Sequence, residues 1–229
     1  VTRPRFEDPT LVARAATYSA LGEPARLAIV EELVVSDRTP GELSARLGLA
    51  SNLLAHHLDV LERAGLVART ASAGDGRRRY VRLVRTALAG LGIAGRAPRG
   101  DLLFLCTHNS ARSQLAAALW TARTGRRATS AGTAPAARVH RGAVAAARRA
   151  GLSLADAVPV EFDGAPGDAQ VVTVCDLVHE ELPVGDDWWH WSIADPTAGD
   201  AAAFDAVVHD LEERIRAVTT GDERRGGNG

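Results

Sequence analysis

Cys106 and Arg112 stand six positions apart in the run LLFLCTHNSARSQLAAALW, residues 102–120, with Ser113 directly after the arginine. A thiolate is a nucleophile. A guanidinium offers a planar fork that grips a tetrahedral oxyanion with two hydrogen bonds. Such a pair is common by chance, and its setting gives it meaning. Leu102 to Leu105 reads as a short buried strand, and the Ala/Leu-rich segment from Ser113 onward reads as a helix. Strand, tight loop and helix form an oxyanion cradle, in which loop N–H groups converge and the helix N-terminus adds partial positive charge. Thr107, His108, Asn109, Ser110, Ala111, Arg112 and Ser113 would line it. Cys106 is then expected as a thiolate that attacks phosphorus or a similar centre. The alternative is a buried structural cysteine beside a helix-capping serine.

The elements needed to position this loop are legible. Strands are predicted near 101–105, 127–130 and 171–174, alternating with helices near 113–124, 139–150 and 201–218. That alternation predicts an α/β domain with a mainly parallel sheet, whose ligands bind beyond the C-terminal strand ends. Cys175 also follows a strand, so it should face the same crevice as Cys106.

The loop CTHNSARS resembles the phosphate-binding loop of the low-molecular-weight tyrosine phosphatase family. Its Thr107-His108-Asn109 spelling, with Gln114 after the serine, is closer to the arsenate reductases built on that fold. SAGT (130–133), VVTVCD (171–176) and HWSIADP (190–196) resemble further family segments. The resemblance implies that Cys106 attacks the central atom, Arg112 and the loop amides hold its oxygens, and Ser113 donates to the Cys106 thiolate. Asn109 would hold the loop shape, since asparagine tolerates left-handed backbone. Asp195 would protonate the leaving oxygen, for which it needs a proton at working pH, and Pro196 would stiffen its loop. Cys175 stands where the reductases keep a redox cysteine. Thioredoxin-coupled reductases carry a further cysteine where this chain has Leu182. The cycle would therefore close either by direct Cys106–Cys175 pairing or through a low-molecular-weight thiol or a glutaredoxin- or mycoredoxin-like reductant as co-substrate. No tightly bound cofactor or metal is implied. Tyrosine phosphatases of the family prefer aromatics after Asp-Pro, and here Thr197 and Ala198 follow. Of Trp188, Trp189 and Trp191, most are expected in the core.

Residues 10–92 read as four helices, a hairpin and a short last helix. Glu23-Pro24 opens one helix, and Thr39, with Glu42 three residues on, caps the next. A short turn at Gly48 leads into SNLLAHHLDVLERAG (51–65), making a helix-turn-helix. Strands at 66–70 and 79–84 flank a wing loop, ASAGDGR. The runs ALGEPARLAIVEEL, ELSARLGL, HHLDVLERAGLV and RRRYVRL resemble the ArsR family of winged-helix repressors. That implies a homodimer joined through the winged helix, with Ser51–Arg63 in the major groove of operator DNA. Ser51, Asn52 and His56 are the polar candidates for base contact, and Arg77, Arg78 and Arg79 the candidates for phosphates. Asp59 places a negative charge on the same helix. His56 and His57 are adjacent and point apart, which suits packing or DNA contact better than metal chelation. Residues 1–105 contain no cysteine, and TALAGLGIA (86–94) offers no ligand for an inducer.

Charge divides the chain in the same way. Residues 1–99 hold 15 Arg against 10 Asp/Glu, a net of +5, and residues 100–229 hold 12 against 18, a net of −6. No lysine is present among the 229 residues. The expected organisation is an all-helical winged helix-turn-helix domain with a hairpin wing at 1–95, a linker at 96–100, an α/β low-molecular-weight phosphatase-like domain at 101–220, and a disordered tail at 221–229. Two cysteines suit a reducing cytosol. No apolar run approaches membrane-spanning length, and VTRPRFEDP lacks an apolar signal core. The expected function is arsenate reduction joined to DNA repression. The alternatives are an oxyanion or redox sensor controlling the DNA module, or a tyrosine phosphatase tethered to a DNA-binding dimer.

Overall fold

In a computed structural model the chain is described over residues 7–88, 93 and 95–226, with 220–226 as backbone alone. The front module opens with four helices: α1 (Pro9–Leu21), α2 (Pro24–Val35), α3 (Pro40–Leu47) and α4 (Ser51–Arg63). The first three each begin at a proline, which presets the helical φ and needs no N–H partner. Asp8, Glu23 and Thr39 cap them, and Thr39 with Glu42 forms the expected capping box. An antiparallel hairpin, β1 (Val67–Ala71) and β2 (Arg79–Leu83), forms the wing. A 3-10 turn, Arg85–Leu88, follows it; the rest of the expected last helix, 89–92 and 94, lies outside the described residues.

The back module is a parallel sheet in the order β4-β3-β5-β6: β4 (Ala128–Gly132), β3 (Leu102–Cys106), β5 (Gln170–Thr173) and β6 (Trp189–His190). Helices α5 (Arg112–Thr124), α6 (Arg141–Arg149), α7 (Asp176–Glu181) and α8 (Ala201–Gly226) complete it. The short elements β6 and α7 carry too little periodicity to be read from sequence. Residues 221–226, expected as a disordered tail, continue α8 as helical backbone, and 227–229 lie outside the described residues. No helix among the described residues is long and apolar enough to cross a membrane.

The two modules keep two cores, docked on each other. Val35, at the end of α2, belongs to the core of the back module, and Ala217 of α8 packs on the core of the front one. The expected linker is pinned: Arg126 donates to the Pro98 and Gly100 carbonyls, and Gly95 donates its N–H to Ala217. A side chain at Gly95 would come within 2.9 Å of Val34 and 3.1 Å of the Val218 backbone, so only glycine fits this crossing.

Ser36, Asp37 and Arg38 form the joint. Arg38 exchanges both backbone hydrogen bonds with Val81 of the wing, while Asp37 donates its N–H to His190 of β6. Trp191 donates its indole N–H to Val35, and Ser192 its backbone N–H to the Asp37 carboxylate. Arg214 of α8 reaches the same carboxylate at 2.9 Å, both side chains being 0 % exposed, and also pairs with Asp210 at 2.9 Å. Burial works against the Arg214 charge, but Asp37 and Asp210 outweigh it and hold the guanidinium above its ordinary pKa.

Beside this joint, Thr173 Oγ1 meets Nδ1 of both His179 (3.0 Å) and His190 (2.9 Å), whose rings stack at 4.1 Å. His190 Nε2 faces Asp176 at 3.1 Å, and His179 Nε2 faces Glu42 of α3 at 3.5 Å. A hydroxyl has one proton and can serve one Nδ1; the other ring must donate to it.

The joint yields a stability prediction. Arg214→Met leaves the buried Asp37 without its counter-ion and should cost about 3–5 kcal/mol. Urea denaturation should show this loss in one transition shared by both modules. Asp37→Leu combined with Arg214→Met should recover much of it. A single-variant loss below about 1 kcal/mol would contradict the assignment of this pair as the anchor.

Candidate active site

Cys106 is the last residue of β3, and Arg112 is the first residue of α5, so strand and helix set the two ends of the loop. Its carbonyls are tied outward. Thr107, His108 and Ser110 accept from the N–H groups of Ala134, Ala136 and His140, from the segment that follows β4. This is the orientation a cradle of inward N–H groups requires. Asn109 has φ 45°, the left-handed conformation anticipated for it.

The Asn109 side chain braces the whole turn. Its Nδ2 donates to Ser113 Oγ at 2.8 Å, and its Oδ1 accepts from Gln114 at 3.0 Å and from the Val160 N–H at 2.8 Å. Ser113 Oγ in turn lies 3.0 Å from Cys106 Sγ. With Asn109 supplying a donor to Ser113, the serine proton is left for the sulfur. Gly132, in the SAGT segment, is where β4 touches this loop. A side chain there would come within 2.6 Å of the Thr107 carbonyl and 2.8 Å of the Asn109 N–H.

The structure gathers Cys106, Arg112, Asp195 and Cys175 at the C-terminal end of the sheet. Arg112 is 7 % exposed. Its Nη2 donates to Asp195 Oδ2 at 2.7 Å and its Nη1 to the Ile193 carbonyl at 3.0 Å. Asp195 Oδ1 accepts from both the N–H (2.9 Å) and the hydroxyl (2.6 Å) of Thr197. Burial raises the Asp195 pKa, but the Thr197 donors and the Arg112 charge outweigh it and hold it below the ordinary value. The sequence reading required a proton on Asp195. In the arrangement seen, the group is an ionised carboxylate, because both oxygens already accept from donors. Thr197 carried no role in the sequence reading; an Asp-Pro-Thr run is the usual signal for such a turn.

Cys175 occupies the N-cap position of α7 without a side-chain cap bond and is buried, with its Sγ 3.4 Å from Thr107 Oγ1. The redox candidate therefore touches the cradle loop itself. From Cys175 onward α7 holds the wing. Asp176 Oδ2 accepts from the Ala73 N–H at 2.7 Å, and Glu180 accepts from the Ser72 hydroxyl, the Asp75 N–H and the Tyr80 hydroxyl. Trp189 and Trp191 are fully buried, as expected of core residues.

On the front module, Ser51, Asn52 and His56 are exposed along α4, with Leu53 and Ala55 between them. His57 is buried and lies 3.6 Å from Glu23, a packing position. Asp59, which threatened DNA affinity, is compensated by Arg69 at 2.7 Å. Arg77, Arg78 and Arg79 are exposed on the wing, the first two near Asp75. The described residues hold no cluster of three or more His, Cys, Asp or Glu suited to a metal ion.

Comparison with known proteins gives two matches along the chain. Residues 101–224 match the low molecular weight phosphotyrosine protein phosphatase family, and residues 21–70 match a helix-turn-helix domain. Over 62 residues the chain is 45% identical to an uncharacterized HTH-type transcriptional regulator found in two strains of Mycobacterium tuberculosis. That stretch covers 27% of this chain and 54% of the regulator, so the chain spans about half the length of the curated relatives it matches. A tyrosine phosphatase of Erwinia amylovora is 24% identical over 54% of this chain and 93% of its own, with a TM-score of 0.48. An arsenate reductase from Archaeoglobus fulgidus is 31% identical over 52% and 98%, with a TM-score of 0.45.

Asn109 gives the loop's own prediction. Asn109→Ala forces a non-glycine, non-asparagine residue into left-handed backbone and strands three hydrogen-bond partners. Stability should fall by about 2–4 kcal/mol in urea denaturation. Asn109→Gly, which relieves only the backbone strain, should recover a minor part. Equal stabilities for all three proteins would show that the side chain braces nothing.

Proposed function

The chain belongs to the low molecular weight phosphotyrosine protein phosphatase family, with a helix-turn-helix region ahead of it, and from this premise we propose that it reduces arsenate to arsenite and also binds operator DNA. The contact between Cys175 and the cradle loop carries the reductase reading. Hydrolysis of a phosphate ester needs one cysteine and water. Reduction needs a second thiol to carry electrons away, and a second thiol is in place.

The chemistry balances as follows. Arsenate enters the cradle, where Arg112 and the loop N–H groups hold its oxygens. Cys106 forms a sulfur–arsenic bond, and the departing oxygen leaves as water with a proton from Asp195. Cys175 then attacks the Cys106 sulfur. The sulfur–arsenic electron pair stays on arsenic, which falls from As(V) to As(III) and leaves as arsenite. The product disulfide accepts two electrons from a low-molecular-weight thiol or a glutaredoxin- or mycoredoxin-like protein. Leu182 is half-buried against the core of the back module, so no third cysteine of the thioredoxin-coupled kind takes part there. On the DNA side we assign α4 to the major groove through Ser51, Asn52 and His56, the wing arginines to phosphates, and a homodimer through the winged helix. We take 1–95 and 101–220 as the two units of this arrangement.

A second reading is favoured by one observation. Cys175 occupies the N-cap position of the helix whose Asp176 and Glu180 hold the wing. A disulfide at Cys175 would pull on that helix, so the back module would also report oxyanion or redox state to DNA.

Two experiments test these readings. Cys106→Ser should abolish arsenate reduction and aryl phosphate hydrolysis alike, since a hydroxyl in the cradle stays protonated. Cys175→Ser should lower arsenate reduction at least tenfold, on the order expected for loss of an internal resolving thiol, and leave aryl phosphate hydrolysis largely intact. Unchanged arsenate reduction with every thiol donor would remove Cys175 from the cycle.

The full chain should bind a mixed-sequence duplex with steep salt dependence, and replacing Arg77, Arg78 and Arg79 by Ala should flatten the salt slope. Oxidation should weaken binding in the wild type and leave the Cys175→Ser chain unaffected. A salt slope unchanged by the triple replacement would move the phosphate contacts off the wing. Equal weakening of both chains would remove the Cys175 route.

A further inference from the structure

An acid that must donate a proton is here bound as an ionised carboxylate by the arginine meant for the substrate. Each Asp195 oxygen has a separate set of donors. Among the described residues, Oδ2 accepts from Arg112 Nη2 alone, at 2.7 Å. Oδ1 accepts twice from Thr197, by its N–H at 2.9 Å and its hydroxyl at 2.6 Å. The two sets differ in what can displace them. Arg112 is the oxyanion fork, and a bound tetrahedral anion competes for both of its terminal nitrogens. Thr197 is held by the same Asp-Pro-Thr turn that carries Asp195, so no ligand competes for it.

We propose that Thr197 is the positioning residue of the acid, fixing Oδ1 as a permanent acceptor so that the catalytic proton is carried by Oδ2 once an oxyanion has drawn Arg112 away. This rests on the reading of Asp195 as the acid. Oxyanion arrival changes Asp195 in two ways that act together. The carboxylate loses its cationic partner, and a negative charge takes the vacated place. Both favour protonation. The free site keeps Asp195 charged, which holds Arg112 against the Ile193 carbonyl and orders the fork before the ligand comes. In the loaded site the proton enters on the oxygen facing the cradle. From there it passes to the leaving oxygen as the bond between that oxygen and the central atom breaks and the bond to Cys106 Sγ forms.

The sign of the pH effect follows. A general acid must be protonated, so the rate falls as pH rises through its pKa in the complex. The Thr197 hydroxyl donates to the carboxylate and favours the charged form. Thr197→Val keeps the shape, loses the hydroxyl, and should move the alkaline limb of kcat upward by about one pH unit, the order of one hydrogen bond to a charge. It should also lower kcat about tenfold at the optimum, with little change in KM, because Oδ1 then keeps only the backbone N–H and is held less tightly. Thr197→Ser restores the hydroxyl and should restore both limb and rate.

The test on the full chain has two arms. The first is the pH profile of aryl phosphate hydrolysis for wild type, Thr197→Val and Thr197→Ser. The second needs no turnover: a carbon-13 NMR titration of the Asp195 carboxyl, identified by its loss in Asp195→Asn, with and without sulfate. Sulfate should raise the Asp195 titration midpoint in the wild type, and Thr197→Val should raise it in the free protein. Aryl phosphate hydrolysis undiminished in Asp195→Asn would sink the reading of Asp195 as an acid, and the NMR arm would still judge Thr197. An Asp195 midpoint unmoved by sulfate, or Val and Ser variants that behave alike in both arms, would overturn the proposal.

Discussion

The buried pair of Asp37 and Arg214 is the constraint on which the arrangement of the two modules depends. Neither charge is tolerable alone in a water-free interior. Asp37 belongs to the segment between α2 and α3, and Arg214 to α8, so neutralising the pair means docking the last helix of one module on the second helix of the other. The same carboxylate takes the Ser192 N–H, three residues before Asp195. One side chain therefore fixes the DNA-binding helices, the closing helix and the start of the acid loop relative to one another.

From that joint, rigidity reaches the cradle by two routes. On one side the acid loop runs from β6 at the joint to Asp195. On the other, the loop from Cys106 to Arg112 is held by its carbonyls, by Asn109 and by the close approach of Gly132. A cradle of converging N–H groups is unfavourable when empty, because like dipoles face each other. It persists because these outer contacts over-determine it. The pairing of Arg112 with Asp195 fits the same logic, since a buried guanidinium must have an anion, and the Asp195 carboxylate supplies one.

The wing is not a free arm. In an isolated winged helix the hairpin tip faces solvent, but here Ser72, Ala73, Asp75 and Tyr80 are held by Asp176 and Glu180 of α7. The arginines that follow the tip remain exposed. Exposed arginine charge and interdomain anchoring are thus divided between neighbouring residues of one loop. The sequence had suggested two modules joined by a tether; the structure keeps two cores but docks them through Val35, Ala217 and the joint at Asp37.

Much of this protein is determined locally and so is visible in the chain itself. The capping box at Thr39, the prolines at helix starts, the alternation of strands and helices, and the left-handed Asn109 all arise from neighbours within a few residues. The loop was legible because Cys106, Arg112 and the helix that follows are contiguous. What the sequence did not show is held by contacts across long separations. The extension of α8 past 220 was hidden by a polar, glycine-containing composition. The packing of the expected linker depends on Arg126, nearly 30 residues away. The pairing of Asp195 with Arg112 spans 83 positions, because only folding brings that guanidinium to the carboxylate. Local propensity selects the elements; burial of Asp37 with Arg214, a choice available only after the chain has closed on itself, decides how the two cores dock.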